Sequence, residues 1–392
     1  MDQQIPQRPT YARIDLDNLA FNFRSIREFV GNDVRVMAVV KANAYGHGAV
    51  ACARRLALEG ADWFAVATLE ESIELRDAGI TSDILCMGGF YPGQESAGLS
   101  YNIIPAIIEP EQAERVSRAA GSIGAAARVH VKIDTGMGRV GIPHLQASQF
   151  ADRLSMLPNL QVHGVMTHLA AADDLNQNEF TNAQIERLNA VAEIFRGKGL
   201  CPEFVDIANS PGAVGHPLSR GGMVRVGGLL YGLGRDVLPG GVPWPTLKPV
   251  LSLHTKLAQV KRVPRGASIG YGREFVTTRE SIIGTIPIGY NDGFRRGLSN
   301  RGRAIVGGTA VPVAGRVSMD WTTLDLTALP AADVGDDVVL IGAAGNNAIG
   351  AADVAEAVGT ISYEITCGIS QRVPRLYRGI GQNASIPESR LR

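Results

Sequence analysis

A lysine closes an apolar run, Arg35-Val36-Met37-Ala38-Val39-Val40-Lys41, and Ala42-Asn43-Ala44-Tyr45-Gly46-His47-Gly48 follows it at once. A strand this apolar is covered on both faces, so the amine at its end leaves water for a low-dielectric pocket. Desolvation disfavours the ammonium form, which makes such a lysine a nucleophile or a base. A lysine that simply ends a strand and reaches for solvent is the ordinary alternative. Other apolar runs also end in reactive side chains: Lys132-Ile133-Asp134-Thr135-Gly136-Met137-Gly138-Arg139, Thr167-His168-Leu169, Ala208-Asn209-Ser210-Pro211-Gly212 and Arg225-Val226-Gly227-Gly228. Ser210 offers a hydroxyl, and Gly227-Gly228 let the backbone approach closely with its N–H groups free, the makings of a phosphate cradle. Taken singly, His168 reads as a structural histidine and Arg139 as a rim charge. A buried lysine, a phosphate site, two arginines and a histidine together point to a lysine holding pyridoxal phosphate as a Schiff base.

These residues need a scaffold that gathers strand ends. Up to about residue 234 the chain alternates short apolar runs with helical patterns, the mark of repeated βα units around a parallel sheet. Candidate strands are 36–40, 63–67, 84–87, 103–108, 127–133, 162–167, 204–207 and 223–226, a count that fits an eight-stranded barrel. An open doubly wound sheet is the alternative. The barrel is preferred because reactive side chains recur after strand upon strand, where a barrel collects them on one face. From about residue 241 the texture changes, with Pro243-Trp244-Pro245 breaking the chain before β-rich runs at 250–263, 282–288, 304–313, 322–326 and 338–341. A late helix is expected over 351–358. The predicted organisation is a (β/α)8 TIM barrel over 12–240 and a mainly antiparallel β domain over 241–392, on which residues 1–11 could pack.

Several segments together carry a family resemblance. Val39 to Gly48, Lys132 to Gly141, Met166-Thr167-His168, Ala208-Asn209-Ser210 and Val224-Arg225-Val226-Gly227 stand in the first half. Gly270-Tyr271-Gly272-Arg273, Ile288 to Gly293, Gly315 to Asp320 and Thr360 to Glu364 stand in the second. The chain resembles the alanine racemases, pyridoxal-phosphate enzymes with an N-terminal barrel and a C-terminal β domain.

The resemblance implies a two-base interconversion of L-alanine and D-alanine on a pyridoxal phosphate aldimine, supplying D-alanine for peptidoglycan. Lys41 would carry the cofactor and act as the base for the D-enantiomer, with Tyr271 serving the L-enantiomer. A free tyrosine titrates near pH 10, so it needs a neighbour that favours the phenolate. The resemblance has His168 contact Tyr271 and, in turn, Arg225. Arg225 would face the pyridine nitrogen and, as a donor that keeps its protons, leave that nitrogen unprotonated. Arg139 would contact the cofactor's phenolic oxygen and the substrate carboxylate, and Lys132 matches a position that is carbamylated in many members. Tyr45, Ser210, Gly227 and Tyr363 match the phosphate-binding set. The backbone N–H of Met319 would meet the substrate carboxylate, while Asp320 and Tyr290 would line the substrate entrance. The resemblance also implies a head-to-tail homodimer in which Tyr271, Tyr290, Met319 and Asp320 complete the partner's site.

Competing readings remain: a serine or broad-specificity racemase, a decarboxylase of basic amino acids built on the same barrel, and a non-catalytic pyridoxal-phosphate carrier. Tyr271 and Arg225 speak against the decarboxylase, and the long β domain speaks against the carrier. Gly89 to Glu95 and Trp321 depart from the familiar pattern. The chain has 392 residues with 38 basic against 38 acidic side chains, so no overall field would hold nucleic acid or an anionic membrane. A small-molecule partner is the default. The N-terminal stretch lacks a signal-type apolar core and no run approaches the ~18 apolar residues of a membrane span, which together predict a cytoplasmic protein. The four cysteines, Cys52, Cys86, Cys201 and Cys367, form no Cys-x-x-Cys pair. Neither a disulfide framework nor a metal site is expected, and each is read as a buried structural thiol.

Overall fold

Strands buried on both faces must be apolar throughout, and such runs build the first unit of the computed structural model, which describes residues 8 to 379. A first strand, β1 (Tyr11–Asp15), belongs elsewhere. Next come β2 (Arg35–Val39), β3 (Trp63–Val66), β4 (Asp83–Cys86), β5 (Ile104–Ile107) and β6 (Ala127–Asp134). The two-residue β7 (Ile142–Pro143) flanks β6, and β8 (Leu160–Met166), β9 (Phe204–Asp206) and β10 (Met223–Val226) complete the set. Eight of these run parallel in the order β10-β2-β3-β4-β5-β6-β8-β9. The two ends of that order meet where the Arg225 N–H donates to Ala208 O at 2.9 Å, closing the barrel. The open-sheet alternative is thereby excluded.

Inward side chains fill the barrel rather than leave a pore: Met37, Trp63, Leu85, Met166, Phe204 and Met223 are all buried. His130, fully buried on β6, lies 5.5 Å from Trp63 and 5.6 Å from His163 between ring centroids. Burial among these rings, with neighbouring positive charge, pushes its pKa down to about 3 and keeps it neutral.

The second unit joins residues up to Asn18 with those from Pro249 onward, while Leu19–Lys248 forms the first. Its strands are β11 (Leu251–Lys256), β12 (Gln259–Val263), β13 (Ser268–Ile269), β14 (Phe275–Val276), β15 (Ser281–Ile286) and β16 (Arg303–Val306). They continue with β17 (Thr309–Pro312), β18 (Thr322–Asp325), β19 (Asp337–Ala344), β20 (Asn347–Ile349) and β21 (Arg375–Arg378). One sheet runs β17-β16-β19-β11-β1-β21, a second runs β12-β15-β18, and pairing is antiparallel except between β1 and β21. The expected single run over 250–263 divides between two sheets. The run over 304–313 is a hairpin, turned by Gly307 and Gly308 at φ +55° and +79°. The expected helix Ala351–Val358 is present, and a short helix, Ser362–Cys367, follows it.

Two of the cysteines correct the sequence reading: Cys52 and Cys86 are buried, but Cys201 and Cys367 are exposed. The unfamiliar segment after Gly89 is anchored at its ends, since Phe90 is buried against Gly98 and Glu95 pairs with Arg115 at 2.7 Å, while Tyr91, Pro92 and Gly93 between them are exposed. Among the described residues no helix is long and apolar enough to cross a membrane.

Candidate functional site

Lys41 stands just past β2, and the chain then does something its composition does not advertise. Ala42, Asn43, Ala44 and Tyr45 all have φ of +53° to +54°, a turn of left-handed helix without a glycine. Left-handed backbone costs an L-residue roughly 1–2 kcal/mol, so surrounding contacts must impose it. Ala44 N–H donates to Val40 O at 2.8 Å, Gly46 N–H to Ala42 O at 3.0 Å, and Ala49 N–H to Asn43 Oδ1 at 2.7 Å. Buried His47 lies with Nδ1 2.9 Å from Ala44 O, so that nitrogen carries the donated proton, and its ring stacks on Tyr231 at 4.5 Å. Tyr231 in turn donates its hydroxyl to Val39 O at 2.9 Å. Gly46 and Gly48, at φ +86° and +98°, lead into the helix Ala49–Leu58.

The turn carries Tyr45 to the next strand end. A Cβ added at Gly227 would lie 2.3 Å from the Tyr45 hydroxyl, so a larger residue there would push that hydroxyl away. Gly227 N–H donates to Ser210 Oγ at 3.0 Å, and Asn209, whose Oδ1 accepts from Gly212 N–H at 3.0 Å, starts the turn presenting Ser210. Tyr45, Ser210 and Gly227 thus form a small polar cradle floored by backbone. Since β2 and β10 pair with Met37 beside Arg225, Lys41 and this cradle sit on neighbouring strand ends, not opposite ones.

Charge is buried just below. Arg225 is 3% exposed and Asp206 fully buried, with Nη1 2.5 Å from Asp206 Oδ1. The terminal nitrogens of Arg225 also reach Asp206 O at 3.1 Å, Thr167 O at 2.7 Å and His168 Nδ1 at 3.5 Å. A guanidinium has five N–H donors, and these four partners engage the terminal ones, leaving Nε–H over. Burial raises the Asp206 carboxyl while Arg225 pulls it down. His168 falls to about 2, first through burial and then through Arg225, Lys132 and Arg139. It is therefore neutral, with Nδ1 accepting and Nε2 protonated, and the positive charge of this pair resides on Arg225. Lys132, buried on β6, drops to about 7 through burial and the charges of Arg225 and Arg139, with Asp206 opposing. The lysine most desolvated is Lys132; Lys41 is half-buried. Arg139 is exposed, on a loop that Asp134 turns by accepting Gly136 N–H at 2.9 Å and that folds back on Lys132 at Gly141.

The β unit presents its candidates differently. Tyr271 is 70% exposed, Tyr290 and Met319 are exposed, and Asp320 and Tyr363 are half-buried. Three turns share one surface: Tyr290 N–H donates to Ser318 O at 3.0 Å, Asn291 N–H to Met319 O at 3.1 Å, and Gly272 lies against the Arg316 guanidinium. Fully buried Asp292 accepts from Gly289 N–H at 3.0 Å and from Arg8 at 2.9 and 2.7 Å, fixing the Tyr290 turn. Arg372 bridges Asp320 at 2.8 Å and Asp292 at 3.6 Å. Trp321 is exposed beside Asp320.

Two residues escaped the sequence reading. Asp206 had a signal, a carboxyl inside an apolar strand, which burial makes the counter-charge of Arg225. Glu71 showed only as the last residue of a Thr68-x-x-Glu71 capping pattern.

A parallel barrel with an amine and a glycine-floored cradle on neighbouring strand ends, over a buried arginine–aspartate pair, is the architecture of a barrel enzyme with its polar groups gathered at one rim. Family models agree in detail: the "Alanine racemase, N-terminal domain" matches residues 14–235 and the "Alanine racemase, C-terminal domain" matches 250–377. The chain belongs to the alanine racemase family. It is 42% identical over 378 residues to the alanine racemase of Halothermothrix orenii, covering 95% of this chain and 97% of that one. The solved alanine racemase of Streptomyces lavendulae superposes with a TM-score of 0.90 at 36% identity, covering 96% of this chain and 98% of that one. The alanine racemase of Bartonella henselae, solved with covalently bound pyridoxal phosphate, gives 0.85 at 29% identity, covering 95% of this chain and all (100%) of that one.

Proposed function

We propose that this chain is a pyridoxal-phosphate-dependent racemase that interconverts L-alanine and D-alanine in the cytoplasm, furnishing D-alanine for peptidoglycan. The observation that carries the reading is the Arg225 guanidinium, with Asp206, Thr167 and His168 engaging its terminal nitrogens and Nε–H left over, beside the Tyr45–Ser210–Gly227 cradle. Bound through Lys41, the cofactor would supply the electron sink that acidifies the substrate's Cα–H. The Tyr45 and Ser210 hydroxyls and the Gly227 backbone, with Tyr363, would hold its phosphate. Arg225 would face the ring nitrogen and, as a donor that keeps its protons, would leave that nitrogen uncharged, which favours proton return over side reactions. Arg139 and the Met319 N–H would orient the substrate carboxylate, with Tyr290 and Asp320 at the entrance.

Two bases then serve opposite faces: the Lys41 amine removes or returns the proton on one, the Tyr271 phenolate on the other. The protonated Nε2 of His168 would be the donor for that phenolate. Because Tyr271, Tyr290 and Met319 are exposed on this chain, we place them at the partner's site in a head-to-tail homodimer. Lys132, pushed to about 7, holds enough neutral amine to attack carbon dioxide, forming a carbamate anion and releasing one proton. That anion would sit among Arg139 and Arg225 and orient the former.

The test is to give the purified protein L-alanine, L-serine and L-lysine separately and follow optical rotation, cofactor absorbance and carbon dioxide release. Loss of rotation with alanine at constant amino-acid concentration is expected. Carbon dioxide release, or no cofactor band, overturns the reading.

A further inference from the structure

Adjacent strands β2 and β3 keep their ladder as far as Val40 N–H, which donates to Ala65 O at 2.9 Å. Beyond that bond the ladder ends, and a side chain takes over. Glu71, on the helix Leu69–Asp77, accepts Ala42 N–H on Oε1 at 2.6 Å and Ala67 N–H on Oε2 at 2.7 Å. It also completes a capping box with Thr68, but there the bonds are longer, 3.3 Å from Thr68 N–H to Glu71 and 3.4 Å from Glu71 N–H to Thr68 Oγ1. A helix cap needs only that second pair. The two shortest contacts, both charge-assisted, instead join two strand ends, and one of them grips the first residue of the left-handed turn.

We propose that Glu71 is a positioning residue for the Lys41 segment: by holding Ala42 and Ala67 it maintains the left-handed turn that aims Lys41 and Tyr45 at one place. The role assigned to Lys41 rests on the function proposed above. Without Glu71 the Ala42 N–H loses the carboxylate that ties the turn to the end of β3, and the turn's four left-handed residues can relax toward ordinary backbone. Lys41 and Tyr45 would then no longer be held to a common geometry, and a displacement of about 1 Å at a reacting group can lower a rate 100-fold.

Three variants separate this role from capping: Glu71→Ala, Glu71→Gln and Thr68→Ala, the last removing the cap alone. In the full chain before cofactor is added, hydrogen exchange at the Ala42 and Ala67 amides should accelerate in Glu71→Ala and stay as in the parent in Thr68→Ala. After loading with pyridoxal phosphate, Glu71→Ala should release cofactor about tenfold faster, shift the pH profile of borohydride trapping at Lys41, and lower kcat about 10- to 100-fold with little change in KM. Glu71→Gln, with one acceptor oxygen, should fall between. Thr68→Ala should melt earlier yet keep the parent trapping profile. Glu71→Ala matching Thr68→Ala in all of these, with Ala42 still protected, overturns the proposal. If the parent does not trap cofactor at Lys41, the tether reading fails by itself, and exchange at Ala42 alone then decides the role of Glu71.

Discussion

The barrel unit and the β unit hold their candidate chemistry in opposite ways. In the barrel, Lys132, Asp206 and Arg225 are buried, and Arg225 is fixed by three neighbouring residues. In the β unit, Tyr271, Tyr290 and Met319 stand exposed on turns that are themselves rigidly tied. A buried group takes its protonation state from the fold, whereas an exposed one takes it from whatever comes to cover it. The barrel therefore carries the electrostatics of the proposed reaction, and the β unit carries groups that, in the proposed homodimer, would gain their function on meeting the partner's surface.

The sharpest way to break that contrast is to remove one base from each unit. Lys41→Ala and Tyr271→Ala should each lower racemisation by about 100- to 10,000-fold or more. Mixed and reassociated, the two inactive proteins should regain activity, because in the proposed homodimer a mixed pair would have one site with both bases intact. Activity that stays absent after subunit exchange places the two bases on one chain.

Next in size is the buried pair. Arg225→Ala leaves the Asp206 carboxyl without its partner in the interior, which should destabilise the barrel by about 3–5 kcal/mol in denaturant unfolding. Adding Asp206→Asn should restore part of that loss. The β unit offers the counterpart: Arg8→Gln strips the bidentate partner from fully buried Asp292, but Gly289 N–H still serves that carboxylate. Its loss should be near 2 kcal/mol. Equal losses would show that burial does not distinguish the units.

Protonation gives a smaller, graded effect with a defined sign. His130 and His168 are held near 3 and near 2 in the fold against an ordinary 6.5, so below pH 6.5 the unfolded chain binds protons that the folded chain refuses. Stability present above pH 6.5 is lost as pH falls, by up to about 1.4 kcal/mol per pH unit for each histidine. Lys132, lowered from 10.5 to about 7, acts in the same direction at higher pH, adding stability as pH rises across that window. Urea midpoints measured from pH 4 to 10 check both limbs. His130→Phe should flatten the acid limb, and an unchanged slope would assign it to other groups.

The barrel was legible because strands covered on both faces must be continuous apolar runs, and Lys41, His168, Ser210, Arg225 and Gly227 came with their ends. The strand Tyr11–Asp15 was not, since its partners Leu251–Lys256 and Arg375–Arg378 lie at the far end of the chain. Nor could the left-handed turn be read: in Ala42-Asn43-Ala44-Tyr45 only Asn43 favours it, and contacts from Glu71, His47 and Asn43 impose it. Asp206 was passed over because its meaning depends on Arg225, a neighbour only in three dimensions. What escaped at the site is thus the set of residues that act through others.

The smallest expected effect tests whether an exposed ion pair can matter where a buried one does. Arg372 holds Asp320 at 2.8 Å with both side chains nearly half exposed, and its 3.6 Å approach to Asp292 duplicates a contact that Arg8 makes better. Exposed pairs contribute little because water and salt screen them and two long side chains must be ordered to form them. Arg372→Gln should therefore leave the unfolding midpoint nearly unchanged. Asp320 lines the proposed substrate entrance, so KM for alanine should still rise, by less than about threefold, with kcat intact. Raising the salt concentration should bring the parent enzyme's KM to that of the variant, since the same interaction is screened away. A variant that melts as early as Arg8→Gln would instead place Arg372 in the buried scaffold around Asp292, and the division between a charged interior and a tuned surface would have to be redrawn inside the β unit itself.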